Sequence, residues 1–243
     1  DTAGAIDNAY ASEAESFDAI RQFLSYMPQN VWSAPPHVQI NDPIDRRDEK
    51  LLSLVPRNRR QAYSMHKLIT IIADEGSTFE IQPTFGKSII TKFARFGGHV
   101  AGVIANNPMY YGGALDSDGA QKMTHFIDLC NQFGIPLVHL ADVPGFMIGS
   151  AAERSGVLRA GVRAVHAGLM ATVPTITVII RKCYGMAGMA MVNQKGLNLK
   201  LAWPSGEWGS LPVEGGVAVA FRRDIASAPD PAAREAELEA EFR

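Results

Sequence analysis

The segment at residues 175–192 constrains the fold more than any other part of the sequence. It reads TITVIIRKCYGMAGMAMV, an apolar β-branched run, then a short turn around Gly185, then a helix of small residues. Such a run is typical of a strand buried on both faces, as in a parallel sheet. A turn from a strand into a helix leaves backbone N–H groups free at the helix start, where negative charge is stabilised. No evident nucleophile or base lies in the turn, so we expect its chemistry to use main-chain N–H groups acting on an oxyanion.

The rest of the chain predicts strands and helices that alternate from about residue 60 onward. Apolar periodicity and capping residues indicate the helices, and short apolar runs indicate the strands. Two adjacent glycines, Gly97 and Gly98, are typical of a hairpin turn. Further helices are predicted at residues 11–25, 63–74, 116–133, 150–170 and 232–243, and strands at 78–81, 89–96, 99–105, 136–141, 175–180 and 199–203.

This order predicts an α/β fold with a largely parallel sheet, because alternating strands and helices place helices on the faces of the sheet. Residues 28–59 are rich in proline and charge, and they predict an irregular connector. We therefore expect an N-terminal helix and connector at residues 1–59 and a main domain at residues 60–243.

Composition and charge exclude several classes of function. Lys and Arg number 23 against 25 Asp and Glu, a formal net charge of −2, which indicates neither a nucleic-acid partner nor a basic membrane anchor. No apolar run reaches the roughly 18 residues that a membrane span needs, and the N-terminal residues lack the features of a signal peptide. The two cysteines, Cys130 and Cys183, form neither a disulfide framework nor a zinc site. We expect a cytoplasmic protein without a metal, in which Cys183 is a small apolar filler rather than a reactive thiol.

Three glycine-containing loops follow predicted strands and form the candidate ligand site. They lie at residues 111–116, 142–149 and 184–187. Ligands of open α/β sheets bind beyond the carboxyl ends of the strands, and glycine lets a bare N–H approach a ligand closely. The simpler interpretation is that each loop only reverses the chain. The sequence has neither a Lys at phosphate-loop spacing nor a G-x-S-x-G motif, which argues against a nucleotide-binding loop and a hydrolase.

An ordered set of short motifs gives the chain its resemblance to a known family. Taken together, they resemble the C-terminal half of the carboxyltransferase (β) subunit of biotin-dependent acyl-CoA carboxylases, such as propionyl-CoA carboxylase. The resemblance implies a crotonase/ClpP-like layered spiral of repeated ββα units, with residues 60–243 as the C-terminal carboxyltransferase domain. The motifs are NDPIDR (41–46) with VP (55–56), YSM (63–65), FAR (93–95), GGALD (112–116), DVPGF (142–146), TVP (172–174) and RKCYG (181–185).

The resemblance implies an activity and a set of partners. The implied activity is the movement of CO2 between carboxybiotin, held on a carrier protein, and the α-carbon of an acyl-CoA. Biotin is then the cofactor, acyl-CoA the substrate, and no metal is needed in this chain. The N-terminal half of the family is absent from the sequence, so either a separate subunit supplies it or this sequence is part of a longer chain. We expect that half or subunit as a partner, together with the biotin carboxyl carrier and biotin carboxylase, in a homo- or hetero-oligomer.

The resemblance also assigns roles to residues. The backbone N–H groups of Met186 and Ala187 are implied to form the oxyanion hole for the ureido oxygen of biotin, although the family has Gly in place of Met186. Met189 falls where the family lines the acyl pocket, and a flexible apolar side chain there tolerates an unusual acyl chain. The other implied biotin- and substrate-binding residues are Gly112, Gly113, Ala114, Pro144, Gly145, Phe146, Gly149, Tyr184 and Gly185.

Two other interpretations stay open at the level of sequence. The same site run in reverse is a decarboxylase or transcarboxylase of malonyl-type thioesters, because one active site serves both directions of a reaction. The chain could also be a non-catalytic assembly subunit, and Met186 is the residue that most favours this alternative.

Overall fold

A single mixed sheet organises the chain. The computed structural model describes residues 2–192 and 196–241, with no side chain described at 213 or 214. Seven strands form the sheet in the order β1-β2-β3-β4-β5-β6, and β7 pairs with β5 beyond the end of β6. The strands are β1 Phe79–Ile81, β2 Ile89–Phe96, β3 His99–Asn106, β4 Leu137–Val143, β5 Thr175–Tyr184, β6 Asn198–Ala202 and β7 Glu207–Gly209.

Helices cover the sheet and continue to the end of the described chain. They are α1 Glu13–Leu24, α2 Leu51–Leu54, α3 Met65–Ile72, α4 Ser117–Gln132, α5 Ser150–Arg154, α6 Val157–Met170, α7 Gly185–Val192, α8 Val213–Ala220, α9 Arg222–Ser227 and α10 Pro231–Glu241, and a short 3-10 turn spans Tyr111–Gly113. The predicted α/β class is confirmed, because β3, β4, β5, β6 and β7 pair in parallel while β1, β2 and β3 pair antiparallel.

The predicted hairpin between β2 and β3 is confirmed, and its turn follows from two glycines. Phe96 pairs with His99, so that only Gly97 and Gly98 lie between the strands. Both have positive φ, 60° and 80°, as a tight hairpin turn requires. The carboxylate of Asp74 accepts hydrogen bonds from both glycine N–H groups, at 2.9 and 2.7 Å, which fixes the turn.

Two apolar clusters lie on the two faces of the sheet. On one face, Phe93 and Phe126 pack with ring centroids 5.0 Å apart, under α4, α6 and α7. On the other face, Leu68 and Ile69 of α3 pack against the sheet. The segment that follows α1 reaches the first cluster, where Tyr26 is fully buried and its hydroxyl donates to Ser77 O at 2.6 Å. A division of the chain at residue 59 stays a prediction.

Four sequence-based assignments need correction. The helix predicted at 150–170 is two helices, α5 and α6, because Gly156 between them has a left-handed φ of +75°. The strand predicted at 175–180 continues to Tyr184, and the strand predicted at 136–141 continues to Val143. Strand β7 and helices α2, α8 and α9 were not predicted. The terminal helix is confirmed to Glu241, and residues 242–243 lie outside the described residues.

Candidate functional site

The first turn of α7 is the centre of the candidate site. Strand β5 runs directly into this helix, and Gly185 makes the change of direction with a left-handed φ of +57°. The N–H groups of a first helical turn have no partner within the helix. In the described part of the chain, no acceptor outside α7 is assigned to the N–H groups of Met186 and Ala187. Ala187 is fully buried and Met186 is 49% exposed. One side of the turn therefore packs against the protein, and the other side faces solvent.

Two of the three predicted loops are joined by backbone pairing. Leu115 pairs with Phe146, and this bridge is made by the bonds Leu115 N–H to Gly145 O at 3.0 Å and Met147 N–H to Leu115 O at 2.9 Å. Gly113 is a necessary glycine, because a Cβ there would lie 2.2 Å from the carbonyl oxygen of Asp142. The loops at 111–116 and 142–149 therefore form one unit.

The third loop is tied to this unit by a side chain. The Nζ atom of Lys182, two residues before the end of β5, donates to Gly112 O at 2.9 Å. Helix α7 also packs directly against β4, which leads into the second loop. The structure therefore brings the three glycine loops to one edge of the sheet, as their positions after the strands predicted.

The predicted biotin-side residues lie at different depths in this unit. Phe146 packs under α6, where a Cβ on Gly161 would lie 2.4 Å from its ring. Gly112, Pro144 and Gly149 are exposed, whereas Gly113 and Tyr184 are buried. Ala114, Gly145 and Gly185 are intermediate, and Met189 is 41% exposed on the outer side of α7. Their roles in binding stay a prediction.

A buried carboxylate at the start of the second predicted loop, to which the sequence assigned no role of its own, connects the ends of β4 and β5. Asp142 is fully buried, and its carboxylate accepts hydrogen bonds from Arg181 Nε at 3.1 Å and from the Lys182 backbone N–H at 3.2 Å. It also pairs with Arg181 Nη2 at 3.1 Å and Lys182 Nζ at 3.7 Å. A carboxylate and two cations at the ends of neighbouring parallel strands were the sequence signal for this network.

The network explains how β5 reaches α7. Ala141 pairs with Ile179 but Val143 pairs with Cys183, so β5 carries two extra residues opposite Asp142. A bulge of this kind leaves backbone N–H and C=O groups without a partner on the neighbouring strand, and it bends the strand. The Asp142 carboxylate satisfies the N–H of Lys182 within the bulge, and the strand is thereby directed into Gly185.

Burial governs the titratable groups around Asp142. The guanidinium of Arg181 lies 4.9 Å from the centroid of the Tyr63 ring and donates to Gln61 O at 2.8 Å. Burial, and after it the charge of Asp142, raises the pKa of Tyr63 above its usual range, so its hydroxyl stays protonated. Burial lowers the pKa of Lys182, and the attraction of Asp142 opposes this effect.

Cys183 is a packing residue. Its thiol is buried, burial raises its pKa to about 11, and it lies 3.7 Å from Gly188 O. A thiol with a raised pKa is a poor nucleophile at neutral pH, which supports the filler interpretation over a reactive thiol. The nearby Tyr184 hydroxyl donates to Glu207 Oε2 at 2.7 Å, and Glu207 also pairs with Arg59.

An apolar cleft of about 390 Å³ opens beside α7. Its walls are formed by α7, β5, β6 and β7, and they include the predicted site residues Gly185 and Met189 together with Trp208. In the part of the chain described, no cluster of three or more His, Cys, Asp or Glu side chains is placed to hold a metal ion. Within the same residues, no helix is both long and apolar enough to cross a membrane.

Comparison with known proteins gives one consistent result. The whole chain, residues 1–243, matches the carboxyl transferase domain. It is 38% identical over 243 residues to the propionyl-CoA carboxylase carboxyltransferase subunit of Haloferax mediterranei, covering 100% of this chain and 47% of that protein. It is 39% identical over 233 residues to the methylmalonyl-CoA decarboxylase subunit alpha of Propionigenium modestum, covering 96% of this chain and 45% of that protein.

The fold agrees with these matches. The crystal structure of transcarboxylase 12S, a hexamer described with methylmalonyl-coenzyme A bound, superposes with a TM-score of 0.93 at 33% identity, covering 99% of this chain and 46% of that one. The predicted crotonase-like α/β fold is therefore confirmed. The chain spans about half the length of the curated relatives it matches.

Proposed function

Because this chain belongs to the carboxyl transferase domain family, we propose that it supplies one half of a carboxyltransferase site, in which CO2 moves between carboxybiotin on a carrier protein and the α-carbon of an acyl-CoA. The observation that carries the proposal is the first turn of α7, where the N–H groups of Met186 and Ala187 meet no acceptor outside the helix among the described residues. The three glycine loops and the Asp142 network hold that turn at the edge of the sheet.

The chemistry needs donors rather than a side-chain acid or base. Carboxybiotin, when bound, supplies CO2 and leaves negative charge on its ureido oxygen. The N–H groups of Met186 and Ala187 would donate to that oxygen, and the positive end of the α7 dipole favours the same charge. Removal of one such donor in other enzymes lowers kcat by roughly 100- to 1000-fold.

Met186 is compatible with this role. Its side chain is 49% exposed, so it finds room at the surface and leaves its N–H in the first turn. The departure from the family's Gly at this position therefore gives little support to the non-catalytic alternative.

The partner proposal follows from the length of the relatives. Because the chain spans about half of each, we expect the second oxyanion hole and most of the CoA contacts to come from an N-terminal carboxyltransferase half or subunit. Biotin carboxylase and the biotin carboxyl carrier would load the biotin, and the hexamer of transcarboxylase 12S favours an oligomeric assembly.

The reverse direction is a second candidate function. The identity to the methylmalonyl-CoA decarboxylase subunit alpha, 39%, is as high as that to the carboxylase subunit, 38%. Decarboxylation or transcarboxylation of a malonyl-type thioester would use the same two N–H groups.

The test is a variant without the proposed donor, measured in the intact complex. A tagged form of this chain is recovered from its source with its associated subunits, and carboxylation of acyl-CoA is followed with labelled bicarbonate, with and without avidin. Ala187→Pro deletes one N–H in the first turn, where proline is sterically tolerated, and we expect at least a roughly 100-fold loss of kcat. Ala14→Pro, in the first turn of the exposed α1, is the matched control and should keep full activity.

Circular dichroism and thermal unfolding show whether Ala187→Pro is folded. Full activity in the folded variant would place the oxyanion hole elsewhere. Activity that is as high with avidin as with biotin-saturated avidin, the inert reference, would argue against a biotin-dependent reaction.

A further inference from the structure

The carbonyl group of Gly112 is held by a side chain of β5. Lys182 Nζ donates to Gly112 O at 2.9 Å, and the Lys182 side chain is only 16% exposed. The backbone N–H of the same residue donates to the Asp142 carboxylate at 3.2 Å. Lys182 is therefore anchored at its main chain, and its side chain reaches from the bulge of β5 to the first glycine loop.

Charge balance around Asp142 does not require this lysine. Arg181 Nε donates to the Asp142 carboxylate at 3.1 Å, and Arg181 Nη2 lies 3.1 Å from the same oxygen. One guanidinium neutralises one carboxylate, and Lys182 Nζ is farther away, 3.7 Å from Asp142 Oδ1. The group within hydrogen-bond distance of the ammonium is the loop carbonyl. A hydrogen bond from a charged donor is roughly twice as strong as a neutral one.

The loop needs such a contact because its backbone is strained. Tyr111, Gly112 and Gly113 have successive left-handed φ values of 52°, 63° and 88°. This conformation is disfavoured for a residue that has a Cβ atom, such as Tyr111. The hydrogen bonds of Gly113 N–H and Ala114 N–H return to carbonyl groups of the same turn. They fix the shape of the loop, whereas Lys182 fixes its distance from β5.

Lys182 also stands close to the proposed oxyanion hole along the chain. Strand β5 continues for two residues beyond Lys182 and enters α7 at Gly185, directly before the two proposed donors. Gly112, at the other end of the Lys182 side chain, belongs to the loop that the resemblance assigns to biotin. The ammonium therefore links the two parts of the proposed biotin site.

We infer that Lys182 is a positioning residue of this site, whose ammonium holds the Gly112 loop at the distance from α7 that biotin requires. The inference rests on the proposed carboxyltransferase function. Without the ammonium, the strained loop moves away from β5, and biotin is no longer held against the N–H groups of Met186 and Ala187. A misplacement of about 1 Å lowers a rate by roughly 100-fold. Binding of acyl-CoA is unaffected, because most of its contacts are expected from the other half.

The test compares Lys182→Met with the wild type in the tagged complex described above. Methionine keeps an unbranched chain and lacks the ammonium. We expect kcat to fall by roughly 100-fold with KM for acyl-CoA unchanged, and hydrogen exchange of residues 107–116 to become faster. Lys67→Met, at an exposed lysine of α3, is the matched control and should leave both unchanged. Thermal unfolding gives the stability of each variant.

A chemical rescue separates the ammonium from the packing of the side chain. Lys182→Cys is alkylated with bromoethylamine, which rebuilds a chain of lysine length with an ammonium, or with propyl iodide, which gives a neutral chain of the same shape. Cys130 and Cys183 should escape alkylation, because both are buried and burial raises the pKa of their thiols. The wild-type complex treated in the same way is the reference. We expect only the ammonium adduct to recover kcat, with equal stability of the two adducts.

Each outcome decides a different point. Full activity of the folded Lys182→Met variant, or unchanged exchange of the loop, would overturn this inference and leave the carboxyltransferase function standing. Equal activity of the two adducts, or a loss of kcat that follows a loss of stability, would overturn it in favour of a packing role. Carboxylation of no acyl-CoA by the wild-type complex would overturn the proposed function itself, and the inference with it.

Discussion

At the scale of single residues, the site depends on charge that is fully removed from water. Asp142 lies at zero exposure between Arg181 and Lys182, and each of its oxygens is used by at least one of them. A buried ion pair contributes little net stability compared with a well-packed apolar group, yet loss of one partner costs about 3–5 kcal/mol because a charge is left uncompensated. The network is therefore better understood as fixing the path of β5 into α7 than as a source of stability.

A second buried polar residue, His139, makes folding stability depend on pH. It lies in the middle of β4, fully buried, and neither ring nitrogen has a hydrogen-bond partner among the described residues. Burial lowers its pKa to about 4, compared with about 6.5 in the unfolded chain. Between these values the unfolded state binds more protons, so stability falls as pH falls from about 6.5 to 4, by up to about 3 kcal/mol.

We expect His139→Leu to remove this part of the acid sensitivity. The measurement is the free energy of unfolding by urea at a series of pH values from 7 to 4, compared with the wild-type protein. Carboxylates titrate in the same range, so the readout is the difference between the two curves. His166→Leu, a substitution of an exposed histidine of α6, is the control. Parallel curves for wild type and His139→Leu would contradict the prediction.

Strand β5 shows which features of the site can be predicted from the sequence and which cannot. The apolar run at 175–180 predicted a buried strand correctly, but Arg181 and Lys182 read as the start of a loop. They continue β5 because Asp142, 39 residues earlier in the chain, neutralises them within the sheet. Pairing between distant residues of this kind has no local signature, whereas the free N–H groups of the turn follow directly from a strand, a glycine and a helix.

At the scale of elements, the close approach of α7 to β5 depends on its small residues. A Cβ on Gly188 would lie 2.9 Å from the carbonyl carbon of Cys183, which is backbone and cannot move aside. By contrast, a Cβ on Gly168 of α6 would meet Ala190 O at 3.8 Å, an ordinary contact. The close packing of α7 on β5 therefore requires glycine at position 188, whereas the packing of α6 leaves room for a side-chain methyl group at position 168.

We expect opposite effects when each of these glycines is replaced by alanine. Gly188→Ala forces α7 away from β5 and should destabilise the protein by about 1–3 kcal/mol, with a loss of activity because the first turn moves. Gly168→Ala should stabilise it by up to about 1 kcal/mol, through the higher helix propensity of alanine. Urea unfolding gives both values, and a neutral Gly188→Ala would show that the packing of α7 is looser than the structure indicates.

The elements were largely predictable, and the exceptions have physical causes. The alternation of strands and helices along the chain, the hairpin at Gly97 and the helix that follows Asp116 all have local signals, such as the Asp116 side chain that accepts from Gly119 N–H at 2.8 Å. The break at Gly156 was missed because one glycine inside a helical pattern is usually tolerated. Strand β7, three residues long, owes its existence to pairing with β5 rather than to its own sequence.

At the scale of the whole molecule, the proposed function assigns to this chain one of the two oxyanion holes that the reaction needs. The proposed mechanism develops negative charge on the ureido oxygen and on the thioester oxygen, and α7 offers its first turn to one of them. The relatives are about twice as long, which supports a second carboxyltransferase domain as the source of the other donors.

We therefore expect that the purified chain alone will not carboxylate acyl-CoA. The measurement compares this chain expressed alone in a heterologous host with the same chain recovered from its source with its associated subunits, both supplied with loaded biotin carrier and several acyl-CoA substrates. The isolated chain should fold, because residues of its sheet and of both apolar clusters are buried against one another within the chain, and circular dichroism establishes this before the assay. Activity should lie below that of the complex by at least about 1000-fold, since an absent oxyanion hole alone removes roughly 100- to 1000-fold and the substrate is no longer positioned. Robust turnover by the folded chain alone would contradict the half-site, and would mean that α7 and the glycine loops hold both reactants.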